Sequence, residues 1–389
     1  MKLAQRTSTI GESATLKVAR RANELSRQGV DIADFGAGEP DFPSPRVAVE
    51  AARRALADGF TKYTPAAGMP ELRQALAESY QKRHASPWQA EDVVVTVGAK
   101  GALFELALAL FEQGDEVVIP SPCWVSFPQQ VRLAGGTPVL ATMDPGDGFR
   151  LRADPILAAL GPATRAVILN SPANPTGGVV GAADLEEIVE VCAARGVLVI
   201  ADETYERFVY EGRHHSAATL AAHFPETVLI VGSFSKTYSM TGWRVGFTLG
   251  PRPLMRTVTN IQGHATSNAT SFAMAGALAA LRGAEDEVEA MIAEYRERRK
   301  LVVAALGRMP GVSCAPPAGA FYAFPDVSSY FGEGRAGSAE LAEYLLEEAR
   351  VAVVPGSAFG ADRHVRISFA CGRQTLEAGL ERMAAALMK

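Results

Sequence analysis

Four stretches of this chain place reactive side chains directly after short apolar runs. Val93–Val97 is followed by Gly98-Ala99-Lys100, and Ala166–Leu169 by Asn170-Ser171-Pro172-Ala173-Asn174-Pro175-Thr176-Gly177. Val197–Ile200 leads to Asp202 and Tyr205, and Val228–Val231 leads to Ser233-Phe234-Ser235-Lys236. Glycine lets a backbone approach a ligand closely, and a helix that starts beside it offers free N–H groups to an anion. The chemistry on offer is a phosphate cradle, an amide, an acid, a tyrosine and an amine, one after another. Each taken singly has an ordinary reading as a turn, a helix cap or a solvated lysine. Their order argues for a site only if the surrounding elements bring them to one edge.

The elements predict that they do. Strands are expected at Val93–Val97, Glu116–Ile119, Ala166–Leu169, Val197–Ile200, Val228–Val231 and Val245–Leu249, with helices at Lys100–Phe111 and Ala183–Ala194. Continuous apolar strands alternating with helices predict an α/β fold with a mainly parallel sheet covered on both faces. In such sheets, ligands bind beyond the carboxyl ends of the strands, where the four stretches lie. After about Ala284 the pattern changes to a long charged helix, Glu285 to about Leu306, and a turn at Pro316-Pro317-Ala318-Gly319. This predicts a second, smaller domain, discontinuous in sequence, with a helix from Ala14 to about Arg27 packed on it. The expected division is an arm over 1–13, a small domain over 14–45 plus 285–389, and a large domain over 46–284.

The chain has 389 residues, 48% hydrophobic and 21% charged, with a formal net charge of −5. That size suits two domains of an ordinary soluble protein, and the absence of a basic run argues against nucleic acid. The four cysteines lie far apart and the six histidines show no metal spacing, so reduced thiols and no metal are expected. Adjacent His214 and His215 read as surface residues. No apolar run reaches the roughly 18 residues of a membrane span, and no signal-peptide core opens the chain. The protein is read as cytoplasmic. Gly36-Ala37-Gly38-Glu39-Pro40 is not a dinucleotide loop, because the third glycine and the following helix are missing.

With these stretches in view, a resemblance is plain. Ser233-Phe234-Ser235-Lys236-Thr237-Tyr238-Ser239-Met240-Thr241-Gly242-Trp243-Arg244-Val245-Gly246 looks like the pyridoxal-phosphate attachment signature of class I aminotransferases. Asn170–Gly177 matches their N-x-P-x-N-P-T-G element, and Asp202-Glu203-Thr204-Tyr205 resembles their D-E-x-Y. Further blocks surround Tyr63, Pro317-Ala318-Gly319-Ala320-Phe321-Tyr322 and His364-Val365-Arg366-Ile367-Ser368. The similarity runs from about Ser13 to the C-terminus and is closest to the bacterial aspartate aminotransferase branch. It implies fold type I, with a seven-stranded sheet in the large domain.

The resemblance also implies roles. Lys236 would carry pyridoxal 5′-phosphate as a Schiff base and, once freed, act as general base and acid. Asp202 would pair with the pyridine nitrogen, Asn174 and Tyr205 would bond the ring hydroxyl oxygen, and Trp124 would stack on the ring. Gly98, Ala99, Lys100, Ser233, Ser235 and Arg244 would hold the phosphate. Tyr63 would reach the phosphate of a second subunit, which implies a homodimer with shared active sites. Arg366 would clamp the substrate α-carboxylate, with Asn174, Trp124 and the Gly38 backbone beside it. Ser13, Thr15 and Lys100 would recognise a side-chain carboxylate, which makes aspartate or glutamate the expected donor and a 2-oxo acid such as 2-oxoglutarate the acceptor. Some relatives that act on prephenate carry a lysine where this chain has Gly11-Glu12; the lost cation and added anion should weaken affinity for a second carboxylate or for prephenate, and aromatic or other donors, or prephenate, form the alternative. A pyridoxal-phosphate β-lyase would need the same Lys236, Asp202 and Arg366.

Overall fold

The computed structural model describes residues 1–11 and 14–388. Seven strands form one sheet: β1 (Val93–Thr96), β2 (Glu116–Ser121), β3 (Thr137–Thr142), β4 (Thr164–Asn170), β5 (Leu198–Asp202), β6 (Val228–Ser233) and β7 (Gly246–Leu249). Their spatial order is β1-β7-β6-β5-β4-β2-β3. All neighbours run parallel except β7, which is antiparallel to both β1 and β6. The central strands are buried on both faces, which is why their sequences are unbroken apolar runs rather than alternating ones. Two apolar layers cover the sheet, one built on residues such as Leu76, Ile188 and Met274, the other on Leu103, Leu106 and Phe127.

Sequence patterning missed β3. Its residues, Thr-Pro-Val-Leu-Ala-Thr, are half exposed and contain Pro138, which lacks an N–H for the ladder. Proline is tolerated there because β3 is an edge strand and has a neighbour on one side only.

Helix α1 (Ala14–Arg27) follows a short 3₁₀ turn at Gln5–Thr9, and α2 (Gly98–Leu110) follows β1. Helix α3 (Ser126–Leu133) follows β2, α4 (Ala182–Ala194) precedes β5, and α5 (Glu285–Leu306) leaves the sheet region. Along α5 the buried apolar positions are Val288, Met291, Ile292, Tyr295, Val302 and Leu306, a helical stripe that also buries Arg298. That stripe joins a separate core with Phe35, Phe321, Tyr322, Ile367, Phe369 and Leu380. There, Val365–Ser368 pairs antiparallel with Tyr322–Ala323 and with Val354–Pro355. A two-residue parallel pair, Ala33–Asp34 with Val351–Ala352, ties the N-terminal segment to this unit. Ala22 of α1 packs there too, against Leu346 and Ala352. Tyr205 and Phe208 reach into this core from the sheet side, so the carboxyl ends of the strands face it.

Candidate active site

The anion cradle starts where β1 turns into α2. Gly98 sits at φ +73°, and a Cβ there would run into the Arg244 guanidinium. Only glycine suits both the conformation and the space. Gly246, the first residue of β7, lies so close to Gly98 and Ala99 that a Cβ would strike their backbone. Through Gly246, which pairs with Thr96 on one side and Ser233 on the other, the α2 N-terminus is brought beside the end of β6. Ser233 Oγ accepts from the Ser235 amide at 3.0 Å and caps the one-turn helix Phe234–Thr237, which leaves its hydroxyl proton free to donate. Arg244, at φ +56°, is held by its Nη1 donating to Thr241 O at 2.7 Å. Free helix amides, two hydroxyls and a fork-shaped cation therefore converge, a set suited to a phosphate.

Lys236 lies one turn beyond this cradle. Its Nζ donates to Gly38 O at 2.6 Å. Burial pulls its pKa down to about 8; Glu39 opposes this, and the cations Arg244, Arg366 and Lys100 add to it. A lysine in that range can both give and take a proton near neutral pH.

Asp202 ends β5 and is buried. Burial pushes its carboxyl up to about 6, although the Thr204 amide, donating at 3.1 Å, works against the shift. A carboxylate kept in so dry a place calls for a cationic partner. Beside it, Asn170 donates Nδ2 to Asp202 O at 3.1 Å and accepts the Asn174 amide at 2.9 Å. Asn170 was quoted in the sequence motif without a role; it binds the ends of β4 and β5 together and aims Asn174.

Among the described residues, Arg366 has the largest side chain of those exposed by no more than 2%. It donates Nη2 to Gly36 O at 2.7 Å and Nη1 to Asn174 Oδ1 at 3.1 Å. Its guanidinium lies over the Tyr322 ring at 4.4 Å and the Phe359 ring at 5.3 Å. Its Nε is buried with no hydrogen-bond partner. An orphaned donor on a buried cation is the mark of a site made for an anion.

The other expected residues are distributed as follows. Tyr205 reaches the same centre, its Oη 2.8 Å from Tyr322 Oη. Lys100 Nζ lies 4.7 Å from the centre of the Trp124 ring, and burial, then Arg244, lowers its pKa. Lys100, Arg244, Phe359 and Gly11 line a cavity of about 730 Å³. Tyr63 is 87% exposed and stands apart from this centre within one chain. Ser13 and Glu12 lie outside the described residues, as does the side chain of Thr15. Sequence reasoning gave no role to Tyr322, Phe359 or Asn170. Tyr322 had a visible signal, its place in a matched block; Phe359 had none.

His214 is not a surface residue. It is largely buried with Nε2 3.3 Å from Glu203 Oε2. Glu203 follows Asp202 into the interior, where it also accepts from Ser216 Oγ at 2.7 Å and the Ala217 amide at 2.8 Å. Burial works against charge on both partners, yet their attraction outweighs it: the His214 pKa is raised and that of Glu203 lowered. The buried anion turns the imidazole inward, which no local pattern announces. Glu206 stands within 4.8 Å of this pair and is neutralised by Arg83 at 2.9 Å.

Comparison with known proteins shows the family. Residues 30–383 match the family model of aminotransferase class I and II. The chain is 41% identical to an aspartate aminotransferase of Geobacillus stearothermophilus, covering 98% of each. It is 42% identical to a probable aspartate/prephenate aminotransferase of Aquifex aeolicus, covering 99% of this chain and 98% of that one. The structure of a Thermus thermophilus aspartate aminotransferase with maleate superposes with a TM-score of 0.95 at 40% identity, covering 99% of this chain and all of that one.

Proposed function

The chain belongs to the class I and II aminotransferases, and from that premise we propose that it moves the amino group of aspartate or glutamate to a 2-oxo acid such as 2-oxoglutarate, with Lys236 as the working amine. It is a pyridoxal-phosphate-dependent enzyme of the aspartate aminotransferase type. The residues suit that cofactor. The cradle of Gly98, Ala99, Lys100, Ser233, Ser235 and Arg244 matches a phosphate, and buried Asp202 matches a cationic ring nitrogen. Asn174 and Tyr205 would bond the ring hydroxyl oxygen and Trp124 would face the ring. When bound, the cofactor supplies an electron sink that makes the substrate Cα proton acidic.

One observation carries the reading. Lys236 Nζ and the Arg366 fork both bond the backbone of one short segment, at Gly38 O and Gly36 O. An α-amino acid carries its carboxylate on the Cα itself, so a fork and an amine that meet on one short segment could hold the one and reach the proton of the other. Arg366, with its unpartnered Nε, would grip the α-carboxylate in fork geometry and so point the Cα–H at Lys236. Lys236 Nζ, its pKa pulled down to about 8, would take the Cα proton and later return it. Lys100 would receive the side-chain carboxylate, as would Ser13 and Thr15. The names of the relatives, aspartate aminotransferases, support the acidic donor.

We further propose a homodimer with shared sites, since an 87% exposed tyrosine in a matched block suits a role in a second subunit. The division into an arm, a small domain and a large domain over 46–284 is supported by the two separate cores. Among the described residues no helix is long and apolar enough to cross a membrane. Work in the cytoplasm is proposed from the unpaired thiols.

The test is a half-reaction. Holoenzyme is mixed with each amino acid alone, and the cofactor absorbance is followed. Aspartate and glutamate should convert it stoichiometrically and fastest, and Lys236→Ala should not react. Sustained release of pyruvate and ammonia would instead mean a lyase.

A further inference from the structure

Two phenols share one hydrogen bond inside the site. Tyr205 Oη and Tyr322 Oη are 2.8 Å apart, and both residues are buried. Tyr205 follows β5, three residues after Asp202, whereas Tyr322 lies on the strand that pairs with the Arg366 strand. The bond therefore joins the cofactor side of the site to the substrate side. A Cβ built on Gly38 would come within 3.6 Å of Tyr322 Oη, so this hydroxyl also lies against the segment that accepts Lys236 and Arg366. Its ring face carries the Arg366 guanidinium at 4.4 Å.

Each hydroxyl has one proton to give. If Tyr205 gives its proton to the cofactor ring oxygen, its own oxygen is left as an acceptor, and Tyr322 is placed to donate to it. A hydroxyl that accepts a hydrogen bond becomes a stronger donor, by roughly 10–30% per bond in a chain. Burial first of all holds both phenols protonated, so the chain has two protons and one direction that uses both.

We propose that Tyr322 is a positioning residue with two functions: its hydroxyl donates to Tyr205 and turns the Tyr205 proton toward the cofactor, and its ring face holds the Arg366 fork in place for the substrate carboxylate. This rests on the assignment of Tyr205 to the cofactor ring oxygen. The charged groups acting on the pair are Asp202 at the end of β5 and Arg366 on the adjoining strand with Asp34 near it; Lys236, on Gly38 O, has Glu39 acting on it. None of these changes in the variants below.

Three substitutions separate the two functions. Tyr322→Phe keeps the ring and removes the hydroxyl, Tyr322→Leu removes both, and Tyr205→Phe calibrates the direct contact. The readouts are the pH midpoint of the visible absorption of the substrate-free holoenzyme, and KM and kcat for aspartate. A weaker donor at the ring oxygen leaves that oxygen more negative, so the cofactor holds its titrating proton more tightly and the midpoint rises. Tyr205→Phe should raise it by roughly 1 unit or more, and Tyr322→Phe by roughly 0.5 unit, the scale of one hydrogen bond. Tyr322→Phe should leave KM within about twofold, while Tyr322→Leu should raise it roughly tenfold through loss of the cation–π contact and its packing. A Tyr322→Phe midpoint equal to wild type, with Tyr205→Phe shifted, would overturn the relay. An unshifted Tyr205→Phe would overturn the assignment beneath it, and the relay with it. An unchanged KM in Tyr322→Leu would overturn the support of Arg366.

Discussion

Replacing Arg366 should weaken all amino donors alike and leave the choice between them intact. Its guanidinium is 2% exposed and already spends two N–H groups on Gly36 O and Asn174 Oδ1. The fold has therefore imposed its desolvation before any substrate arrives, and the buried Nε waits without a partner. A carboxylate that docks there gains two charge-assisted bonds, worth about 1.5–3 kcal/mol each. Arg366→Ala should then cost about 3–6 kcal/mol, or roughly 10²–10⁴-fold in kcat/KM. Arg366→Lys keeps the charge and loses the fork, so about half of that energy should go, roughly 10- to 100-fold. Single-turnover kinetics with aspartate, glutamate, alanine and phenylalanine give the comparison free of the acceptor. The thermal midpoint and cofactor absorbance of each variant show that the site is still formed. If the loss were confined to aspartate and glutamate, Arg366 would be reading the side chain and the assignment would be wrong. A loss under about threefold for every donor would refute the clamp altogether.

Asp202 is pushed up to about 6, mainly by burial. Below that value it is protonated and cannot pair with a cationic ring nitrogen, so pyridoxal-phosphate affinity should fall between pH 7 and pH 5; a flat dissociation constant across that range would contradict this. Glu105, 3% exposed and with one oxygen unpartnered, is pushed up to about 7 by burial. Its folded value lies above the ordinary carboxylate value, so the folded chain binds the proton more tightly and stability falls as pH rises from about 4.5 to 7, by up to about 3 kcal/mol. Glu105→Gln should remove that fall, and denaturant unfolding at pH 5 and pH 8 should show a gain at pH 8 alone; equal effects at both would count against it. Mixed dimers of Tyr63→Phe and Lys236→Ala chains should recover up to about a quarter of wild-type activity when co-refolded at equal ratio, through the one site that combines both intact residues. No recovery would rule out shared sites.

The elements were largely legible because their causes are local. The 3.6-residue stripe from Val288 to Leu306 and the unbroken apolar runs of β4 to β6 reflect which faces are buried, and α1 and α5 fall where their patterns place them. β3 was not legible, since an edge strand with Pro138 has little to bury and no second ladder to complete. His214 was misread for the opposite reason. Nothing in Arg213-His214-His215-Ser216 reveals that an anion eleven residues earlier is buried and draws the ring inward.

The same division holds for the site. Its chemical types, lysine, acid, amide and glycine turn, could be read at strand ends, because a parallel sheet sends every such end to one edge. The condition of those groups could not. Arg366 meets Gly36 across 330 positions and Asn174 across 192, and Tyr322 meets Tyr205 across 117. Periodicity and turn chemistry act within a few residues. Desolvation and electric field come from whatever distant segments fold against a group. The sequence by itself thus determined which side chains stand at the sheet edge. Only the tertiary structure decided that Lys236 is dry enough to titrate near 8, that Arg366 keeps a donor unspent, and that two tyrosines from distant segments meet hydroxyl to hydroxyl.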